Sequence, residues 1–195
     1  MVIMVDLSGS FKNIEQEMLI TGLHLDDYDY IINNLDKIDS KEFQTKFDYF
    51  FKVRKNEDWR KIYFDLFDEV YHDKSKQEFE YIIKQLFERA KKRFGKGSIE
   101  PSFASKMLHC INTDEPIWDK FVISYVKMDD IKNNNTIQNC INNYDDLRAK
   151  YEKLLNDKKI LNNISVFKSI VTKYRISNLK ILDFMIWSSR DNDTK

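Results

Sequence analysis

Lys106 and Asp119 are the two side chains of this 195-residue chain whose types and spacing best fit catalytic chemistry. Thirteen positions separate them, and Pro101 and Pro116 precede the two segments that carry them. A lysine that loses its proton is a nucleophile, and burial promotes that loss because it disfavours the charged form. A carboxylate across the same cleft stabilises developing positive charge and can carry the proton. The pair therefore predicts amine catalysis, with a sugar carbon as a fitting electrophile.

Both residues also fit structural roles. A lysine on a short amphipathic helix, as predicted for Lys106, is commonly a surface side chain. Asp119 precedes an apolar run and fits a helix N-cap, a role that is compatible with catalysis. Trp118 beside it fits either a core anchor or a platform on which a base stacks. The residues alone leave these alternatives open.

The short helix predicted after Pro101 has two faces. Phe103, Met107 and Cys110 share the apolar face at helical spacing. The other face carries side chains that can hydrogen-bond to a phosphate or exchange a proton. Its polar members are Ser102, Ser105, Lys106 and His109.

The charged residues are unevenly distributed, although the formal net charge is zero. Residues 1–80 hold 11 basic and 18 acidic side chains, residues 81–106 hold 7 and 2, and residues 107–195 hold 14 and 12. A neutral total argues against a general nucleic-acid coat. The local basic excess is typical of a phosphate-binding face, and equally of a solvated helix face. The basic side chains predicted to contact DNA are Lys91, Lys92, Arg93 and Lys96, in a block that also contains Lys84, Arg89 and Lys106.

Residues 101–122 resemble a segment of a known superfamily. The run P-S-F-A-S-K-M-L-H, a short loop, and P-I-W-D-K-F-V look like the core of 8-oxoguanine DNA glycosylase-like bacterial proteins. These belong to the helix–hairpin–helix DNA glycosylase superfamily. The resemblance implies an all-α DNA-repair hydrolase that excises a damaged base from double-stranded DNA. It also implies that Lys106 is the Schiff-base lysine and Asp119 the catalytic aspartate, with no cofactor.

The chain departs from this pattern at the hairpin. The superfamily normally places a G-x-G, whose amides hold a phosphate, immediately before the lysine helix. Here Gly95 and Gly97 stand earlier, the second of them nine positions before Lys106. Two functions therefore stay open. One is a base-excision glycosylase or abasic-site lyase, and the other is a non-catalytic helical protein that binds DNA or another protein, as from a defence or mobile-element locus.

Composition and spacing predict one all-α domain of about eight helices over residues 1–195. Only 4 glycines and 2 prolines occur, which favours long helices and short connections. We expect residues 1–10 and 188–195 to be frayed. Apolar spacing and caps predict helices at 26–35, from Ser40, at 57–71, from a Ser75–Glu78 capping box to Gly95, and at 102–110, 119–126, 137–156, 165–171 and 177–187.

The remaining sequence features narrow the class of protein. Cys110 and Cys140 are the only cysteines, too few for a disulfide framework. The three histidines lie far apart in no zinc-binding spacing, so we expect no metal. No window approaches eighteen apolar residues, so we expect no membrane span and a cytoplasmic protein.

Overall fold

The computed structural model describes residues 25–126, 128 and 135–188. Within these residues every regular element is helical, with nine α-helices, two 3-10 turns and no strand. The all-α prediction is therefore confirmed. Of the residues predicted to fray, 1–10 and 189–195 lie outside the described residues, whereas Ser188 lies in the last helix. His24 and residues 132–134 of the Asn-rich loop also lie outside the described residues.

The described chain runs through nine helices in sequence order. The first four are α1 (Leu25–Asn33), α2 (Lys41–Phe51), α3 (Glu57–His72) and α4 (Phe79–Phe94). The 3-10 turns Leu35–Lys37 and Lys74–Lys76 precede α2 and α4. The other five are α5 (Pro101–Ile111), α6 (Lys120–Tyr125), α7 (Ile137–Leu155), α8 (Lys158–Ile170) and α9 (Asn178–Ser188).

Local capping explains several helix ends. The Ser40 side chain accepts from the Phe43 N–H at 3.1 Å, which confirms the predicted start of α2. Gly95 ends α4 with φ at 75°, a left-handed conformation that glycine adopts without strain. Asp157 caps α8 and starts that helix at Lys158, earlier than the predicted residue 165.

The prediction of a Ser75–Glu78 capping box is wrong. Asp73 accepts from both the N–H and the hydroxyl of Ser75, at 3.1 and 2.7 Å, and holds it in the 3-10 turn. The helix α4 then begins at Phe79, and Glu78 makes no side-chain capping bond. A local side-chain bond two residues away has displaced the expected one.

One apolar cluster gathers buried residues from all nine helices. In its N-terminal part, aromatic rings of α2 and α3 pack together, with Phe47 and Phe51 centroids 4.6 Å apart and Phe47 and Tyr63 5.6 Å apart. Helix α5 packs against α1 and α4, and α9 packs against α6, α7 and α8. Helices in the middle of the described chain therefore pack against its first helix and its last helix.

No helix of the described residues is both long and apolar enough to cross a membrane. The longest, α7, has 19 residues and carries acidic, basic and amide side chains along its length. The buried face of α7 carries Tyr144 and Tyr151.

Candidate active site

Lys106 lies on α5 and is half-buried. Its ammonium Nζ is 3.4 Å from the carbonyl oxygen of Phe51, 5.0 Å from the Phe103 ring centroid and 5.9 Å from that of Phe51. Burial lowers the pKa of Lys106, while Asp119 opposes that shift and Lys180 adds to it. The amine therefore loses its proton more readily than a surface lysine does.

Asp119 is the N-cap of α6, as the sequence predicted. Its carboxylate accepts from the Phe121 N–H at 2.8 Å, and the side chain is half-buried. Burial raises the pKa of Asp119, the bond from Phe121 opposes this, Asp183 adds to it and Lys106 lowers it. The carboxyl group therefore keeps its proton to higher pH than a surface aspartate.

Lys106 and Asp119 interact electrostatically without direct contact. The pKa of each group responds to the charge on the other. Both side chains are described, and no ion pair within 4.0 Å joins them. The structure thus brings the two sequence-predicted catalytic residues to one region and leaves a separation between them.

A second lysine–aspartate pair, Lys180 and Asp183 on α9, lies in the interior. Both residues are almost fully buried, and Lys180 Nζ is 2.8 Å from Asp183 Oδ2. The Tyr151 hydroxyl donates to Asp183 Oδ1 at 2.9 Å. The Lys180 ammonium also lies over three rings, those of Phe184, Tyr28 and Phe50, at 4.7, 5.4 and 5.5 Å.

This second pair was not predicted from the sequence, although the sequence contains a signal for it. Between Leu179 and Ile186 every residue except Lys180 and Asp183 is apolar, and all eight are buried. Two opposite charges three positions apart in such a helix lie on one face and can pair internally. Buried charges are rare unless they are paired, so this spacing is an indication of an interior ion pair.

Ser105 and His109, which were predicted to contact DNA, are fully buried. The Ser105 Oγ accepts from the Trp118 N–H at 2.8 Å. His109 Nδ1 donates to the Glu115 carbonyl at 2.7 Å, so Nε2 accepts from the Tyr28 hydroxyl at 3.1 Å. The predicted DNA contact of both side chains is wrong, because they hold the segment before Asp119 in place and neither is exposed.

The same segment, residues 112–119, is also anchored by α7 and by Ser177, the residue before α9. Arg148 on α7 forms two bonds to the Glu115 carboxylate, at 2.8 and 3.1 Å. The Tyr144 hydroxyl donates to the Pro116 carbonyl at 2.8 Å, and Ser177 Oγ donates to the Thr113 carbonyl at 2.7 Å. Asp119 is thus placed by a loop whose backbone is bonded by side chains at Thr113, Glu115, Pro116 and Trp118.

Ser105→Ala tests this anchoring. The substitution leaves the buried Trp118 N–H without its acceptor, so we expect the free energy of unfolding to fall by about 1–3 kcal/mol. Urea unfolding measures the loss. Ser102→Ala, on the same helix, removes a half-buried hydroxyl and should change stability by less than about 0.5 kcal/mol. Equal stability of the two variants would contradict the anchoring role.

Trp118 is packed in the core and is not a base-stacking platform in this structure. It is 6% exposed, and its ring is parallel to that of Phe79 at 6.4 Å. Phe79 in turn stacks on Tyr144 at 3.8 Å. The rings nearest the Lys106 amine are those of Phe103 and Phe51.

The predicted basic face is smaller than the sequence suggested. Arg89 pairs with Glu69 at 2.5 Å, Arg93 pairs with Asp58 at 2.9 Å, and Lys84 pairs with Glu80. Three exposed lysines near the end of α4 form no ion pair with any described carboxylate. These are Lys91, Lys92 and Lys96, and half-buried Ser102 follows them at the start of α5.

The connection between α4 and α5 is a six-residue turn between two helices that pack against each other. Its glycines have structural uses. Gly95 caps α4, and a Cβ on Gly97 would lie 2.3 Å from the Phe87 ring. Glu100 then accepts from Lys55 Nζ at 2.6 Å and from Ser98 Oγ at 2.8 Å. Residues 95–100 thus join two packed helices, the second of which carries Lys106.

The described residues contain no group of three His, Cys, Asp or Glu side chains placed to hold a metal ion. The chain matches no protein-family model, no curated protein and no solved structure. The chemistry of the site is therefore inferred from its own residues.

Proposed function

We propose that this chain is a DNA glycosylase-like protein that releases a damaged base from double-stranded DNA. Lys106 is its nucleophile and Asp119 its electrostatic partner. The observation that carries the proposal is the half-buried Lys106 amine, whose pKa burial lowers, in electrostatic interaction with the half-buried carboxyl group that caps the next helix. Perturbed lysine and carboxyl groups in one region are typical of amine catalysis.

The proposed reaction begins with attack of the neutral Lys106 amine on the sugar C1′. The new N–C1′ bond forms as the bond to the base breaks, and the base leaves with the electron pair and takes up a proton. Asp119, when protonated, supplies that proton and then faces the positive nitrogen as a carboxylate. Opening of the sugar ring converts the adduct to a Schiff base, and the proton lost from nitrogen passes to the ring oxygen.

Two further features support this function. The sequence of residues 101–122 resembles the glycosylase-like segment, with the same roles for Lys106 and Asp119. The helix pair α4 and α5, joined by residues 95–100, places exposed lysines just before the catalytic helix. A base in duplex DNA must leave the stack to reach a half-buried amine, and aromatic side chains near the amine offer apolar surface for it.

Salt dependence tests the DNA-binding face. Neutralising one phosphate contributes about 0.9 to the slope of log affinity against log salt. With Lys91, Lys92 and Lys96 engaged, we expect a slope of about 3 on a short duplex, rising toward 4 if Arg93 exchanges Asp58 for a phosphate. Fluorescence anisotropy at several salt concentrations measures it.

A matched pair of variants controls this measurement. Lys91→Gln with Lys92→Gln should lower the slope by about 2. Lys158→Gln with Lys159→Gln changes two neighbouring exposed lysines on α8 and should leave the slope unchanged. Binding that does not depend on salt, or no binding at low salt, would count against a DNA-binding face.

Borohydride trapping decides whether the protein is an enzyme. Reduction converts a lysine–sugar Schiff base to a stable covalent adduct that is visible on a denaturing gel. Duplexes that contain an abasic site or 8-oxoguanine are the substrates, and an undamaged duplex is the control. An adduct on the damaged duplexes supports the proposal, whereas no adduct and no base release on a broad panel of lesions rejects the enzyme.

A non-catalytic helical binding protein is the second candidate. It is favoured by the carbonyl and two rings that already contact the Lys106 ammonium, and by the structural use of both hairpin glycines. In that protein Asp119 is a helix cap and Lys106 a structural cation. Salt-dependent DNA binding without an adduct is the result expected for it.

A further inference from the structure

The Lys180–Asp183 pair carries two charges that stability does not explain. Only 4% and 2% of the two side chains is exposed. Taking an ammonium and a carboxylate out of water is costly, and packed apolar residues of similar volume often serve stability as well or better. The presence of the two buried charges therefore needs an explanation other than the stability of α9.

The pair lies next to the candidate active site, across two neighbouring rings at the end of α2. Lys180 Nζ is 5.5 Å from the Phe50 centroid, and Lys106 Nζ is 5.9 Å from the Phe51 centroid. The two ring centroids are 4.8 Å apart with their planes at 89°. Low-polarity side chains therefore lie between the two ammonium groups. Such a medium screens the interaction between two charges less than water does.

Each member of the buried pair acts on the member of the active-site pair with the same charge. After burial and the opposing effect of Asp119, Lys180 lowers the pKa of Lys106. Asp183 likewise raises the pKa of Asp119, in the same direction as burial. Both effects favour the uncharged forms of the active-site pair.

The other charged groups around Lys106 do not reproduce this effect. Glu100 and the Cys110 thiol act in the opposite direction and raise the pKa of Lys106. Lys55 shares the Phe103 ring with Lys106, but its ammonium is paired with Glu100 at 2.6 Å. Among the charged groups with the largest effects on Lys106, Lys180 is the one that lowers its pKa.

We propose that Lys180 and Asp183 are a positioning pair that favours the uncharged amine of Lys106, the form that attacks a sugar carbon. This inference rests on the proposed function for its purpose, because the pair itself is too deeply buried to touch DNA. Tyr151 holds Asp183 Oδ1 and so keeps the carboxylate toward Lys180.

The test measures the protonation of Lys106 without DNA. Trace acetylation with acetic anhydride across a pH series, read by peptide mass spectrometry, gives a titration midpoint for each lysine. In the wild-type chain we expect Lys106 to titrate at lower pH than exposed Lys91. In the double variant Lys180→Met with Asp183→Asn, the Lys106 midpoint should move up toward that of Lys91. Asn at position 183 still offers an acceptor to Tyr151.

The control makes the same chemical change at an exposed pair. Lys173 and Asp26 are 2.9 Å apart with side chains 74% and 79% exposed, so Lys173→Met with Asp26→Asn should leave the Lys106 midpoint unchanged. An unchanged midpoint in a folded Lys180→Met, Asp183→Asn variant overturns the inference. If that variant does not fold, a wild-type Lys106 midpoint as high as that of Lys91 overturns it.

The same experiment separates this inference from the proposed function. The pH profile of borohydride trapping should shift in the double variant in the same direction as the Lys106 midpoint. A shifted midpoint without any adduct rejects the glycosylase and leaves the positioning pair in place. If an adduct forms but the double substitution changes neither the pH profile of trapping nor the Lys106 midpoint, the positioning pair alone is rejected.

Discussion

We expect Lys106→Gln to abolish the borohydride-trapped adduct on an abasic duplex, with no adduct detectable above background. The substitution removes the amine that forms the Schiff base and keeps most of the side-chain stem. Glutamine can still donate to the Phe51 carbonyl, so the contact at 3.4 Å has a replacement and folding should be little affected. The measurement is adduct yield on a denaturing gel, with a thermal melt to confirm the fold.

The matched control is Lys153→Gln on α7, which makes the same change at an exposed lysine. This variant should give the wild-type adduct yield, because its amine is exposed to solvent. Undiminished trapping by Lys106→Gln would assign the adduct to another amine and remove the basis of the proposed mechanism.

We expect Asp119→Asn to slow adduct formation by about 10²–10³-fold, the range seen when a charge-stabilising group is removed from a reaction centre. The fold should survive, because asparagine keeps an oxygen that accepts from the Phe121 N–H. The expected loss of stability is about 1 kcal/mol or less. Single-turnover trapping rates and urea unfolding, measured on the same preparation, separate the two effects.

Asp157→Asn is the matched control for a cap without a catalytic role. Asp157 caps α8 as Asp119 caps α6, accepting from the Lys159 N–H at 2.8 Å. Its substitution should change stability similarly and leave the trapping rate unchanged. The effects of Lys106→Gln and Asp119→Asn on the trapping rate should also be strongly non-additive. When two residues act as one unit, removing either of them already removes most of the rate enhancement. Equal rate losses at Asp119 and Asp157 would reduce Asp119 to a helix cap.

Local sequence was enough for the parts of the fold that depend on neighbouring residues. The caps at Ser40 and Asp119 and the glycine end at Gly95 each involve contacts within a few positions. Helical spacing likewise predicted the all-α class. The failed Ser75–Glu78 box shows the limit of such patterns, because another local bond competed for the same serine.

The site was harder to predict because its partners are distant in sequence. His109 contacts Tyr28, 81 positions away, and Tyr151 contacts Asp183, 32 positions away. Nothing in the polar face of α5 distinguishes Lys106, which stays half-exposed, from Ser105 and His109, which are buried. Burial decides between binding and structural roles, and it is a property of the packed chain.

The joining of both ends of the described chain has a consequence for how the protein is made. Tyr28 on α1 lies under the Lys180 ammonium, and Asp26 accepts from the Tyr174 hydroxyl at 2.6 Å. Helix α9, the last of the described helices, leaves the ribosome after the segments that carry Lys106 and Asp119. Until α9 docks, the nascent chain lacks the buried Lys180 charge, which lowers the pKa of Lys106 in addition to the effect of burial. The surroundings of the Lys106 amine are therefore complete only after α9 has been synthesised and has docked.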